Sequence, residues 1–533
     1  MTPSHRSAIE RSGHRRRWEP ALLALLVVLV AGPRQAAADP YFLFDTLPAD
    51  TPLASGNASK VVVGPFNALH AVYVSGGKIY YASSLDGAAW TSPVPISSTN
   101  ASDPAIAVDS TGKVGVVWVY AAGFGYPYGS FHYSYRVPGS PIWTSISLGI
   151  SGAEPALAAG GSTMHLTWGE PKRLMYTSFP SDAPSPLPPE AVDTTTCSGQ
   201  FRKPSLVLTA SASPSCPPWL VTIGYLAQGA TSGCANSVGP RVRRRSSPGA
   251  WTELYSNVQS TSSMIASSTI SLSLAANRAT GDLFLAWSDN LSGNSRTVLA
   301  RGLNTLWTPI QLSATARHVH VRAASSLAAP ATQFRLAWTA AGSGGDPFYG
   351  PATYLDTATW DGFSPSWTGA TPLSTLGAGR PQAVFWKRCL NSTPSPVLAE
   401  TRAYFEATSS TGGGRTIATS YLASAGCPVI TVGSGTACAS HAIAIATLGL
   451  VGTGVELGEV GVITQRSPSF ATVTTPDGHA VTVSWRSGQL TASSDTSLTL
   501  TAPRADVTVT SPDVAFTIVE LGQLLEYEGR MVP

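Results

Sequence analysis

Short apolar stretches separated by tight polar turns run through most of this chain, and they keep the two-residue alternation of half-buried strands. Residues 103–144 show the unit. Asp103-Pro104 opens a strand over 105–108, and Asp109-Ser110-Thr111-Gly112 makes a turn. Val114 to Val119, containing Trp118, reads as a buried second strand. A third runs from Phe131 to Tyr135, Pro138-Gly139 turns the chain, and Trp143-Thr144 opens a fourth. Four short strands with tight turns predict one antiparallel sheet.

The unit recurs. Trp-Thr pairs begin at Trp90, Trp143, Trp251, Trp307 and Trp367, with gaps of 53, 108, 56 and 60 residues. Because 108 is twice 54, a degenerate copy is expected near residue 197. A second series, Tyr73, Trp118, Trp168, Tyr225, Trp287 and Trp338, marks the second strand of each unit and is expected to pack between neighbouring sheets. Self-similarity at a period of about 50 residues predicts a closed array of small sheets.

Six units fall between residues 57 and 374. A seventh opens at Arg380-Pro381 with strands over 401–407 and 415–423, and Tyr41 to Leu47 can supply its fourth strand and close the ring, leaving no exposed edge. The expectation is an all-β propeller of seven blades, with six as the alternative, over residues 39–427. From 428 to 533 the rhythm changes, and alternating stretches at 480–485, 497–501 and 506–510 predict a small C-terminal β domain.

Residues 1–38 alter the picture of charge and compartment. Arg15-Arg16-Arg17 precedes the apolar run Ala21 to Gly32, and Ala36-Ala37-Ala38 offers a cleavage site, the pattern of an export signal. The run is too short for a bilayer, which needs about 20 apolar residues. The mature chain is therefore expected outside the cell or in the periplasm, monomeric and without a membrane span. The leader carries six Arg and two Glu, so the full chain's net +3 becomes −1 after its removal. The basic balance then implies no nucleic-acid partner. Six Cys in an exported chain suggest structural disulfides, and no spacing suggests a metal site or cofactor.

Ser84-Leu85-Asp86-Gly87-Ala88-Ala89-Trp90 resembles the Asp-box turn of the sialidase-type propellers, also called the BNR repeat, and Ser247-Pro248-Gly249-Ala250-Trp251 resembles a copy without the Asp. The resemblance covers roughly 57–374 and implies the propeller fold. In that family three arginines hold the substrate carboxylate, one of them from an Arg-Ile-Pro-like motif before the first blade. Residues 39–59 here contain no Arg, and Phe201-Arg202-Lys203-Pro204, which resembles the motif, opens the fourth unit.

Propeller ligands are expected over the central channel, on the face bearing the inter-blade links and the second-to-third-strand loops, since rigid scaffolds present function on loops. Converging there should be Asp103 and Glu154, as candidate catalytic carboxylates, with Arg202 or Lys203, His320 or Arg322, and Arg380 as ligand-binding residues. Aromatic loops add Tyr126 and Tyr128 in the second unit and Phe348 and Tyr349 in the sixth, rings on which sugar faces can stack. The expected function is binding of a glycan or a cell-surface ligand. The alternative is a glycoside hydrolase or a polysaccharide lyase. Arg241, Arg243, Arg244 and Arg245 resemble a phosphate-binding run but fall on a third strand, where a solvated blade edge is expected.

Overall fold

The computed structural model describes Tyr41–Phe42, Leu53 and, with breaks, residues 59–526; most strands after residue 288 are described by their backbone alone. The leader, the six cysteines' side chains and the Asp-box turn 85–89 lie outside the described residues, as do Tyr126, Phe348 and Tyr349.

Every element named among the described residues is a β-strand. The pairings form a series of antiparallel arrays, mostly of four strands. The first runs Val61–Val63, Leu69–Ser75, Lys78–Ser84 and Val94–Pro95. The second runs Ala101–Val108, Val114–Tyr120, Gly129–Arg136 and the first half of Thr144–Gly160. The second half of that long strand starts the third array, pairing with Thr163–Glu170. Further inner strands are Gly199–Thr209, Leu272–Ala276, Ala316–Ser326 and Gly379–Leu390. Each inner strand touches the next, and Gly379–Leu390 touches Val61–Val63, so the order is cyclic. The fold is a β-propeller, and the arrays are its blades.

The seventh blade is built from both sides of the ring. Tyr41–Phe42 pairs antiparallel with Arg415–Ala425, Tyr41 opposite Thr419, as the outermost strand. Pairing this strand there satisfies backbone groups that would otherwise form an open sheet edge. Further strands from Ile430–Cys438 to Gln523–Glu526 follow, and Gln523 and Leu524 pair with Ser326 and Ser325 at the end of the sixth blade's inner strand.

The core lies between blades. All six second-strand aromatics are buried. Val62, Val72, Tyr81, Ile106, Val116 and Trp118 form one cluster across the first two blades, and Phe131, Leu157, Leu166 and Trp168 belong to another across the second and third. The Trp of the Trp-Thr pair leans on the preceding blade: Trp143 on Tyr81 at 4.9 Å, Trp251 on Tyr176 at 5.4 Å, and Trp90 on Tyr404 across the ring closure at 5.7 Å. These near-perpendicular contacts are the favoured aromatic geometry.

The missing copy lies about ten residues earlier than the period suggests. Leu187 N–H donates to Ser178 O as Thr91 N–H donates to Ser83 O, so Pro186-Leu187 occupies the pair's place. Phe179 explains the loss. It packs edge-on against Tyr133 at 5.1 Å, filling the aromatic contact that a Trp makes on the equivalent Tyr81 and Tyr176.

Polar links reinforce the interfaces. Arg136 of the second blade donates to Tyr81 OH (2.8 Å), leaving that hydroxyl's proton for His70 Nδ1 at 2.7 Å. The third blade repeats the pair, His165 Nδ1 and Tyr176 OH at 2.6 Å, with Arg245 of the fourth blade over the Tyr176 ring. Burial holds both imidazoles neutral, at about 3.

Candidate functional site: the charged ring at the channel mouth

A bulge opens several inner strands at the same level. The register slips between Ser102 and Ala105, between Arg202 and Ser205, between Gly379 and Gln382, and opposite Thr167 to Gly169 in the third blade. Within each slip a charged residue preceding proline adopts left-handed backbone: Asp103 (φ 48°), Glu154 (53°), Lys203 (54°) and Arg380 (47°). Left-handed backbone in a residue with a Cβ costs about 1–2 kcal/mol each. The four positions therefore recur at one level of their inner strands. The same end carries the second-to-third-strand loops, since Ala101 pairs with Tyr120, which leads into one of them.

Glu154 is the best-connected member. Its carboxylate accepts from Arg202 Nε (3.1 Å) and Nη2 (3.0 Å), and from the Lys203 backbone N–H and Nζ (both 2.8 Å). Burial alone would raise its pKa, but the Lys203 and Arg202 charges and their hydrogen bonds outweigh burial and hold it at about 2. Arg380 pairs with the fully buried Glu406 at 3.4 Å. Lys60, also fully buried, donates from its ammonium to Pro104 O, and Gln382 Oε1 accepts from its backbone N–H. Burial lowers the Lys60 pKa to about 8, against the partial support of Asp103.

Asp103 is different. It is 1% exposed, and neither carboxyl oxygen has a hydrogen-bond partner among the described residues. Burial raises its pKa to about 6; Lys60, Lys203 and Arg202 pull it down and Glu154 pushes it up. The two carboxyls thus sit in one electrostatic cluster with opposite displacements. Tyr128 stands at the cluster's edge, half-buried, its phenol raised by burial and felt by both Arg202 and Glu154.

The structure therefore brings Asp103, Glu154, Arg202, Lys203 and Tyr128 into one neighbourhood and links Arg380 to it through Lys60. Arg202 and Lys203, weighed as alternatives from the sequence, both bind Glu154. His320 is buried, and its Nδ1 accepts from Ala383 N–H of the next blade at 3.0 Å, an inter-blade tie. Arg322 lies two residues further along the same strand, opposite Arg335 in register. Lys60 and Glu406 escaped sequence reasoning. A lone lysine opening an apolar strand (Ser59-Lys60-Val61) was the available signal for the first.

The arginine run is corrected by its partners. It lies on the third strand of the fourth blade, as expected, but it forms an interface rather than a solvated edge. Arg241 and Arg243 meet Asp193 of the third blade at 3.1 and 3.2 Å, and Arg245 meets Glu190 at 2.6 Å. Tyr225 OH donates to the same Asp193 at 2.6 Å. Alternate residues of a strand share a face, which is why 241, 243 and 245 act together. Among the described residues no cluster of three or more His, Cys, Asp or Glu could hold a metal ion, and no helix is long and apolar enough to cross a membrane.

No family model matches this chain, and no curated protein does. Solved structures similar to it are propellers at low identity. A polysaccharide lyase, Uly1, is 10% identical with a TM-score of 0.39, covering 73% of this chain and 95% of that one. A mutant form of the NanB sialidase from Streptococcus pneumoniae is 11% identical at 0.39, covering 72% and 70%. The six-bladed fucose-recognising lectin of Aleuria aurantia is 13% identical at 0.35, covering 63% and 98%.

Proposed function

We propose that this protein is an exported propeller that binds a glycan or glycan-bearing surface through the loop end of its ring. The observation that carries this reading is the convergence of Asp103, Glu154 and Lys203, each on strained backbone, with Arg202 and the Tyr128 ring beside them. Left-handed backbone at a non-glycine persists only where surroundings enforce it, and such strain concentrates at functional positions. A bulge by itself needs no charged side chain, so the charges call for a separate explanation. A mixed set of donors and acceptors beside an aromatic ring suits a charged or hydroxyl-rich sugar, which presents hydroxyls along its edge and an apolar face above.

The test is a glycan array probed with residues 39–533 of the chain. Binding is expected to at least one glycan class, and to weaken about tenfold or more in Tyr128→Ala and in Arg202→Ala. An array without a single hit, or hits indifferent to both substitutions, would remove the reading.

One observation favours a second reading, glycoside hydrolysis. Two carboxyls displaced in opposite directions are the signature of an acid–base pair, with Asp103 as proton donor and Glu154 ionised. Glu154's four hydrogen bonds argue against its acting as the nucleophile. The lyase form loses one candidate base, since His320 spends Nδ1 on Ala383. Hydrolysis of aryl glycosides, abolished in Asp103→Asn while array binding persists, would establish catalysis over binding.

A further inference from the structure

We infer that a negatively charged ligand group at the channel mouth binds together with one proton, and that Asp103 is the residue that receives it. This rests on the binding reading above and adds its regulation.

The argument is one of pairing. Glu154 is held by Arg202 and Lys203, and Arg380 by Glu406. The ammonium of Lys60 is held on Pro104 O, the carbonyl of the residue after Asp103. The Asp103 carboxyl alone in this set has both oxygens buried without a donor. A buried carboxylate lacking hydrogen bonds bears its desolvation uncompensated, so the neutral acid is the cheaper form to cover.

The groups acting on Asp103 are Lys60 from the first blade, Glu154 from the third, and Arg202 and Lys203 from the fourth. Arg380 of the seventh acts at one remove, through Lys60, and Tyr128 of the second blade faces Glu154 and Arg202. With Asp103 ionised, the cations Lys60, Arg202, Lys203 and Arg380 face three carboxylates, Asp103, Glu154 and Glu406. Protonation leaves two carboxylates and a more positive mouth.

An anion seated there opposes ionisation of Asp103 through space, which raises its pKa above the unliganded value of about 6. The step forms one O–H bond on the Asp103 carboxyl, with the proton taken from solvent and nothing oxidised or reduced. By linkage, affinity is full below the unliganded pKa and falls as pH rises through the window between it and the higher liganded value, by up to about tenfold per unit.

The probe is sodium sulfate against sodium chloride at equal ionic strength, added to the full chain in unbuffered solution with a pH indicator. Sulfate is expected to draw a few tenths of a proton per chain at about pH 6.5, roughly following that linkage, apart from any uptake by the Lys60 ammonium, which is held at about 8. The uptake at about pH 6.5 should vanish in Asp103→Asn. Should that variant fail to fold, Lys60→Met serves: removing the ammonium raises Asp103 and moves the uptake maximum to higher pH. No sulfate-specific uptake, uptake retained in Asp103→Asn, or an unmoved maximum in Lys60→Met would each overturn the inference. An empty glycan array with uptake present removes the glycan reading and leaves a proton-coupled anion site. Glycan binding without uptake removes this inference alone.

Discussion

Replacing Glu154 by Gln keeps the shape of the side chain and removes the charge that organises the mouth. Glu154 is 3% exposed and accepts four hydrogen bonds from two cationic residues. Its displacement from 4.5 to about 2 corresponds to about 3 kcal/mol of stabilisation near neutrality. That lies at the low end of the ~3–5 kcal/mol lost when one partner of a buried pair is removed. The low end is expected, because Arg202 is 26% exposed and can turn toward water. The sign with pH follows from a depressed carboxylate. Its contribution is complete above the unfolded value of 4.5 and fades as pH falls toward 2. Urea unfolding followed by tryptophan fluorescence should therefore show Glu154→Gln less stable by about 3 kcal/mol at pH 7, and by less than about 1 kcal/mol near pH 2.5. A deficit under about 1 kcal/mol at pH 7, or one unchanged by acid, would refute the account of Glu154 as the clamp.

Three further outcomes are expected. Tyr81→Phe strips a hydroxyl bonded to both His70 and Arg136 and should cost ~2–3 kcal/mol in the same unfolding assay, with Tyr176→Phe, which strips the His165 bond, costing somewhat less. Gly115→Ala places a methyl 2.5 Å from Tyr133 OH, and calorimetry should register ~1–3 kcal/mol of overpacking. Asp193→Ala removes the carboxylate shared by Arg241, Arg243 and the Tyr225 hydroxyl; a loss above ~3 kcal/mol would mark the arginine run as an inter-blade fastening, and a loss below ~1 kcal/mol would return it to the solvated edge.

The propeller was legible because its determinants repeat. Each second-strand aromatic fills an equivalent inter-blade space, so Tyr73 through Trp338 announce the architecture several times over. The place of the degenerate Trp-Thr pair was not legible, since Phe179 takes over its contact from a different strand. The slot before proline was readable from Asp103, Glu154, Lys203 and Arg380, because a charged residue at a fixed phase is a local pattern. Their pairing was not. Whether Glu154 meets Arg202 depends on which blades adjoin and how far each bulge turns its residue, whereas Glu406 meets Arg380 because adjacent strands of one blade set Glu406 opposite Gly379. His320 shows the same limit from the other side: nothing local distinguishes a ligand-facing imidazole from one that accepts Ala383 N–H.

The two-residue strand Tyr41–Phe42 also sets an order of events. Its partner, Thr419 and Ala418, lies on the far side of the whole propeller sequence, so the ring remains an open arc until nearly all of its blades exist. Contacts so distant along the chain form late, because a long loop must be closed before they repay it. Until then the outer edge of Arg415–Ala425 offers unpaired backbone to whatever strand arrives first. A second copy's Tyr41–Phe42 is an equally good match for that edge, which makes this seam the point from which the protein would exchange strands into dimers when it folds at high concentration.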